Sequence, residues 1–80
     1  MINYLKKKNI NIGLLGGTFD PAHRGHLAIS KIAKRKFKLD YIIWSITQKN
    51  PFKKQPRFDV EERIKMSKKI TRKDRFIKIE

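Results

Sequence analysis

The order of three features in the first half of the chain most constrains its fold. An apolar run over residues 10–15 leads into Gly16 and Gly17, and an amphipathic helix pattern follows over residues 27–37. A strand that passes through a glycine turn into a helix lets backbone amides approach a phosphate group closely. The sequence therefore predicts a site for a phosphorylated ligand where this strand ends, with residues 16–21 as the turn.

Two histidines precede the helix pattern and are the first candidates for chemistry. His23 and His26 are three residues apart, so on a helical turn their side chains share a face. Imidazoles placed there can donate hydrogen bonds to phosphate. They could also be a metal-binding pair or ordinary caps of the helix. No cysteine and no obvious third ligand is nearby, and the neighbouring glycines favour phosphate binding.

Strand and helix patterns alternate along the rest of the chain. Residues 41–46 read as a second strand, buried on both faces, and residues 76–79 read as a third. Asp59 is a predicted N-cap for a second helix that continues to residue 70. The β-α-β-α-β order predicts an α/β fold with a parallel sheet and helices on both faces. Three strands are about half of a doubly wound, Rossmann-like domain, so we expect a truncated domain.

The helix patterns also predict which residues form the core. On the first helix the apolar residues recur at helical spacing and are expected to face the sheet: Ala28, Ile29, Ile32, Ala33 and Phe37. On the second helix the expected face comprises Val60, Ile64, Ser67 and Ile70. Trp44 is expected in the core and not as a platform for stacking a base.

The formal net charge of +14 over 80 residues points to an anionic partner such as a nucleotide, a nucleic acid or an acidic membrane surface. However, the basic residues are spread along the whole chain, so we favour compositional drift over a dedicated nucleic-acid surface. No apolar run approaches the roughly 20 residues that span a bilayer. Residues 1–9 are predicted to be a basic N-terminal extension. The absence of cysteine fits a reducing compartment, and we expect a cytoplasmic protein.

Residues 16–26, which read GGTFDPAHRGH, resemble the signature of the HxGH nucleotidyltransferase superfamily. Within that superfamily, this form is similar to bacterial nicotinate-nucleotide adenylyltransferase. Residues 44–53 resemble the loop that follows the second strand of that family. Arg63 and Met66 lie where the family often has an R-x-x-M pattern. The resemblance covers residues 10–80 and implies that they are the N-terminal half of a nucleotidyltransferase domain.

The resemblance implies transfer of AMP from ATP to nicotinate mononucleotide, giving deamido-NAD and pyrophosphate, with Mg²⁺ on the phosphates. It implies that His23 and His26 are the catalytic residues. The residues that it implies for binding ATP and substrate are Gly16, Gly17, Thr18, Phe19, Gly25, Lys49 and Lys53. Gly25 is expected to keep the helix start open for the substrate. No residue is assigned as a metal ligand.

The family also has a downstream phosphate-binding motif of the form Ser-Ser-Thr-x-x-Arg, which this chain lacks. We therefore expect the 80 residues alone to be inactive. Pantetheine-phosphate adenylyltransferase and glycerol-phosphate cytidylyltransferase are alternatives within the superfamily, although the loop at residues 50–53 favours the nicotinate enzyme. A basic nucleic-acid-binding fragment without enzyme activity is a further alternative, supported by charge alone. The preference for nicotinate over nicotinamide and the oligomeric state are not predicted.

Overall fold

The computed structural model describes residues 2–7, 9–47 and 58–80, which contain a four-stranded sheet and two helices. The strands are β1 (Ile2–Lys7), β2 (Ile10–Gly17), β3 (Tyr41–Ile46) and β4 (Ile77–Ile79). The helices are α1 (Arg24–Lys36) and α2 (Val60–Ile70). Across the sheet the strands lie in the order β1-β2-β3-β4.

The three strands β2, β3 and β4 are parallel, as predicted. Gly13 lies opposite Ile42, and Ile42 lies opposite Ile77. This confirms the α/β class and the β-α-β-α-β order. Both crossovers step across the sheet in the same direction, so right-handed connections place α1 and α2 on the same face. The expectation of helices on both faces is therefore wrong for the part of the chain that the structure describes.

The strand β1 is an element that the sequence analysis did not predict. It pairs antiparallel with β2, with Ile2 opposite Leu15 and Lys7 opposite Ile10. Only two residues separate β1 from β2, which is the length of a tight hairpin connection. The run of lysines at residues 6–8 suggested a solvated extension, but Lys6 and Lys7 pair with the edge of β2. The wider assignment of residues 10–80 to half of a nucleotidyltransferase domain stays a prediction.

The core lies between the sheet and the two helices. Alternate residues along the strands point into it, and Leu15, Ile42, Trp44 and Ile77 are buried. The residues of β3 that alternate with Ile42 and Trp44 are not buried: Tyr41 and Ser45 are exposed, and Ile43 is half-buried. The prediction that β3 is buried on both faces is therefore wrong, because the described elements cover only one face.

Helix α1 presents a different face to the sheet from the one that its apolar pattern predicted. Ala33 is buried as predicted, but so is Ser30, whereas Ile29 and Ile32 are at least half exposed. Phe37 is also exposed and follows the last residue of the helix. In this orientation the Ser30 hydroxyl accepts a hydrogen bond from Nε1 of Trp44, which fixes the helix against β3. Apolar spacing alone therefore gave the wrong rotation of the helix.

Helix α2 begins where the sequence predicted. The carboxylate of Asp59 accepts a hydrogen bond of 2.8 Å from the backbone N–H of Glu62, which confirms Asp59 as the N-cap. The buried residues of α2 are Arg63 and Ser67, while Ile64 and Ile70 are half-buried. An arginine therefore occupies the centre of the face that packs on the sheet. None of the described helices is both long and apolar enough to cross a membrane.

Candidate functional site

The first wall of the candidate site is the carboxyl end of β2. The strand continues through Gly16 and Gly17, which pair with the last two residues of β3. The turn expected at residues 16–21 therefore begins at Thr18. No described glycine has a positive φ, whereas Phe19 does, at 53°. A side chain added to Gly16 would meet no atom within 4 Å. Gly16 thus leaves open space above the backbone, as close approach of a ligand requires.

The Phe19 ring connects this turn to the core and to helix α1. It is buried, and its centroid lies 4.9 Å from that of Trp44 and 4.4 Å from that of His26. The stack fixes the turn against a strand on one side and a histidine on the other. The family resemblance implied Phe19 only as a substrate-binding residue, and its ring has this additional positioning role. Trp44 is fully buried, which confirms it as a core residue.

The two histidines close the start of α1 with a reciprocal pair of hydrogen bonds. His23 is the N-cap, and its Nδ1 accepts a bond of 3.0 Å from the N–H of Gly25. The N–H of His23 in turn donates to Nδ1 of His26, also at 3.0 Å. The two rings lie with their centroids 4.0 Å apart. This is a capping box in which imidazoles replace the usual hydroxyl and carboxylate.

The capping bonds determine which nitrogen of each ring can face a ligand. A backbone N–H can only donate, so Nδ1 of His23 and of His26 must carry a lone pair. In the neutral imidazole the proton is then on Nε2. Among the described residues, neither Nε2 has a hydrogen-bond partner. Capping and phosphate binding are therefore compatible roles, because they use opposite nitrogens of the same ring.

The environment of His26 favours the neutral form that this arrangement needs. Partial burial lowers the pKa of His26 from its ordinary value of 6.5, and the neighbouring charge of His23 lowers it further. A proton on Nδ1 would face the N–H of His23 and break the capping bond. The same ring therefore stays neutral near pH 7 and presents one N–H donor from Nε2.

Gly25 is required by the His23 ring. A Cβ at this position would lie 2.7 Å from Cε1 and 2.9 Å from Nδ1 of His23. These distances are far below van der Waals contact, so a side chain would displace the ring from its capping position. The sequence analysis expected Gly25 to leave space for substrate. In the described structure its observed role is to leave space for the His23 ring.

Ser30 joins α1 to β3 directly below the histidines. Its hydroxyl donates to the carbonyl oxygen of His26 at 2.8 Å and accepts from Nε1 of Trp44, also at 2.8 Å. Both Ser30 and Trp44 are fully buried. This small polar network inside the core holds the first turn of the helix at a fixed height above the strand.

A second polar network connects the turn after β2 with the end of β3 and the start of α2. The Arg63 guanidinium donates to the carbonyl oxygens of Thr18, Thr47 and Phe58. The carboxylate of Asp20 accepts from the N–H of Phe58 at 2.8 Å. The sequence analysis named Arg63 for its resemblance alone and gave it no role. A usable signal was present, because Arg63 stands at apolar-face spacing with Ser67 and Ile70.

The structure brings together most of the residues predicted for the site. The Phe19 ring, two residues beyond the end of β2, contacts the ring of His26 in the first turn of α1. Lys49 and Lys53, and with them the loop at residues 50–53, lie outside the described residues. Within the described ranges no three side chains of histidine, aspartate or glutamate cluster in a way that could hold a metal ion.

Comparison of the sequence with known proteins shows which family the chain belongs to. The sequence profile described as cytidylyltransferase-like matches residues 14–80. A probable nicotinate-nucleotide adenylyltransferase of Pelagibacter ubique is 56% identical over 77 residues, covering 96% of this chain and 43% of the relative. Proteins with the same name from a Ruegeria species and from Cereibacter sphaeroides are 44% and 38% identical, over 76% and 82% of this chain.

The chain spans less than half the length of each of these curated relatives, between 32% and 43%. The profile nevertheless covers most of the chain and includes both histidines, the end of β2 and the buried arginine of α2. The match covers more than half of the chain, and the parallel strand β2 leads into a histidine-capped helix. The chain therefore belongs to the cytidylyltransferase-like family.

Proposed function

We propose that this chain supplies the nucleotide-phosphate site of a nicotinate-nucleotide adenylyltransferase. The observation that carries the proposal is the pair of adjacent imidazoles whose Nδ1 atoms are engaged in capping α1. Each ring then offers Nε2–H as a donor at the start of α1, and Gly16 at the end of β2 leaves its backbone open to a ligand. Two N–H donors next to each other suit the oxygens of a polyphosphate, and no acidic residue lies in the first turn of α1 to repel it.

The proposed reaction exchanges one phosphorus–oxygen bond for another. A phosphate oxygen of nicotinate mononucleotide attacks the α-phosphorus of ATP, and the bond from that phosphorus to the bridging α,β-oxygen breaks. The products are deamido-NAD and pyrophosphate. The attacking phosphate monoester has a second pKa of about 6 and is largely dianionic at neutral pH, so the reaction needs no general base. The site must instead position two anions and stabilise charge on the leaving pyrophosphate.

Each proposed residue serves that demand. The Nε2–H groups of His23 and His26 donate to the ATP phosphates, and the backbone at residues 16–19 lines the reacting phosphates. Lys49 and Lys53 add positive charge in this proposal. Mg²⁺ is expected to arrive on the phosphate oxygens of ATP and to keep most of its waters, which requires few protein ligands.

Nicotinate mononucleotide is the proposed acceptor because the relatives that match this chain carry that enzyme's name. The proposal is tested on the full-length product of the reading frame by following pyrophosphate release from Mg-ATP. Nicotinate mononucleotide, nicotinamide mononucleotide and phosphopantetheine are compared as acceptors, and CTP with glycerol phosphate is a fourth arm. We expect release with nicotinate mononucleotide and none from the isolated 80 residues. Faster turnover with one of the other acceptors would contradict the proposed function and identify the enzyme that uses that acceptor.

Variants of His26 separate the donor from the cap. In His26→Asn the side-chain oxygen occupies the position of Nδ1 and can keep the capping bond, but no group replaces Nε2–H. We expect kcat to fall about 10²–10³-fold, the usual effect of losing one transition-state donor, with the fold retained. In His26→Gln the amide nitrogen can reach the position of Nε2, so part of the activity should return. Unchanged turnover of His26→Asn would contradict the proposed role of this ring.

A further inference from the structure

A buried positive charge adjoins the candidate site without being aimed at it. Arg63 is only 1% exposed, although its guanidinium lies near the carboxyl ends of β2 and β3. Burying a charged group is costly unless hydrogen bonds compensate the loss of water. The compensation here comes from main-chain oxygens, which hold a planar guanidinium in one orientation.

The carbonyl groups bound by Arg63 belong to three separate segments. Thr18 follows β2, Thr47 follows β3, and Phe58 precedes α2. Asp20 adds a fourth bond by accepting from the N–H of Phe58. One side chain therefore fixes the relative positions of the turn after β2, the end of β3 and the start of α2.

The bond to Thr18 has a direct consequence for the candidate site. The carbonyl of Thr18 and the N–H of Phe19 belong to the same trans peptide group, so they point in opposite directions. At 2.9 Å, Arg63 draws the Thr18 oxygen towards itself. The Phe19 N–H is thereby turned away from Arg63. The Phe19 ring remains held between Trp44 and His26.

We propose that Arg63 is a positioning residue for phosphoryl chemistry, which aims the Phe19 amide at the reacting phosphate by holding the Thr18 carbonyl. This inference rests on the proposed function, because it concerns the same phosphate site. Arg63 itself does not touch the substrate. Its contribution is to keep a donor at the place where charge develops, and misplacement of a reacting group by about 1 Å can cost about 10²-fold in rate.

The test compares Arg63→Lys with Arg72→Lys in the full-length product. Lysine keeps the charge at position 63 but cannot reproduce the planar fork that binds three carbonyls. Arg72 is an exposed arginine just beyond the end of α2, so its replacement controls for the chemical change alone. For Arg63→Lys we expect kcat per folded molecule to fall about 10²-fold, while KM for Mg-ATP changes less than about threefold. Arg72→Lys should match the unmodified protein in both constants.

A purely structural role predicts a different result, namely fewer folded molecules with unchanged kcat per folded molecule, and that outcome would overturn the proposal. A second measurement needs no variant. Scalar coupling across the hydrogen bond from the Arg63 guanidinium to the Thr18 carbonyl should persist when the unmodified protein binds Mg-ATP. Loss of this coupling on binding would also overturn it.

The same experiments distinguish failure of the inference from failure of the proposed function. If the unmodified protein transfers no nucleotide to any acceptor, the proposed function fails. The Arg63 inference is then decided by the Phe19 amide resonance in the presence of Mg-ATP. A resonance that responds to Mg-ATP in the unmodified protein and in Arg72→Lys, but not in Arg63→Lys, supports positioning. The same response in all three proteins refutes it.

Discussion

Replacement of two buried serines, one on each helix, tests whether the polar network under the histidines stabilises the fold. Ser30 and Ser67 are both fully buried on helices that pack against the sheet. The Ser30 hydroxyl has two partners, the carbonyl oxygen of His26 and Nε1 of Trp44. The Ser67 hydroxyl has no hydrogen-bond partner among the described residues. Ser67→Ala is therefore a control for Ser30→Ala that is matched in volume, burial and secondary structure.

The expected difference follows from what each substitution leaves behind. Ser30→Ala removes the acceptor of the Trp44 indole and leaves a buried donor without a partner, which costs about 1–3 kcal/mol. The higher helix propensity of alanine returns a few tenths of a kcal/mol at both positions. Ser67→Ala loses no hydrogen bond and relieves the burial of an unpaired hydroxyl, so it should be neutral or stabilising by up to about 1 kcal/mol. We expect Ser67→Ala to be more stable than Ser30→Ala by about 2 kcal/mol.

Urea unfolding of the 80-residue chain measures this difference, and Trp44 is a built-in reporter because it is the only tryptophan and is fully buried. The free energy of unfolding is compared between the two variants at equal m-values, so that a change in the unfolded state does not enter. Equal stability of the two variants would refute the reasoning. So would a Ser30→Ala protein that is more stable than the unmodified chain.

Three further predictions concern the starts of the helices. Since the pKa of His26 is lowered in the folded chain, the stability that this group contributes is present above about pH 6.5 and is lost as the pH falls through the folded-state pKa. Urea unfolding at several pH values should show this loss of stability at low pH. The His26→Asn variant should lack this part of the pH dependence. Gly25→Ala should displace the His23 ring and lower kcat of the full-length product about 10²-fold. Its unfolding free energy should change by less than about 1 kcal/mol, because the lost cap and the gained helix propensity offset each other. Asp59→Ala should cost about 1 kcal/mol in urea unfolding and Asp59→Asn much less, since asparagine also caps. Equal losses in the two Asp59 variants, or a pH response that survives His26→Asn, would contradict these assignments.

The spacing of apolar residues predicted the parallel part of the fold, because this spacing differs between strands and helices. β3 occupies residues 41–46 as expected, and the N-cap at Asp59 was identified from its local pattern. The rotation of α1 was not predictable in the same way. It depends on a hydrogen bond between Ser30 and Trp44, which are 14 residues apart in the sequence. The buried face of α1 includes this paired hydroxyl, and apolar spacing carries no information about such a pair.

The strand β1 escaped prediction for a related reason. Its pairing depends on the free edge of β2, which exists only once the sheet has formed, and its two lysines are typical of a solvated segment. Short edge strands often carry lysine, because charge discourages pairing with other chains. The same composition therefore fits both a solvated extension and a protected edge, and only the three-dimensional register separates them.

The candidate site combines parts that local sequence can and cannot identify. The glycines and histidines are close in sequence, so a motif was enough to bring them together. Arg63 acts across 45 residues on Thr18 and across 16 residues on Thr47. An arginine on the apolar face of a predicted helix does not fit the apolar pattern. Arg63 is nevertheless buried there, because it donates hydrogen bonds to the carbonyls that follow two strands. A charged residue at a core position of a helix that packs beside strand ends is therefore a signal for a positioning residue.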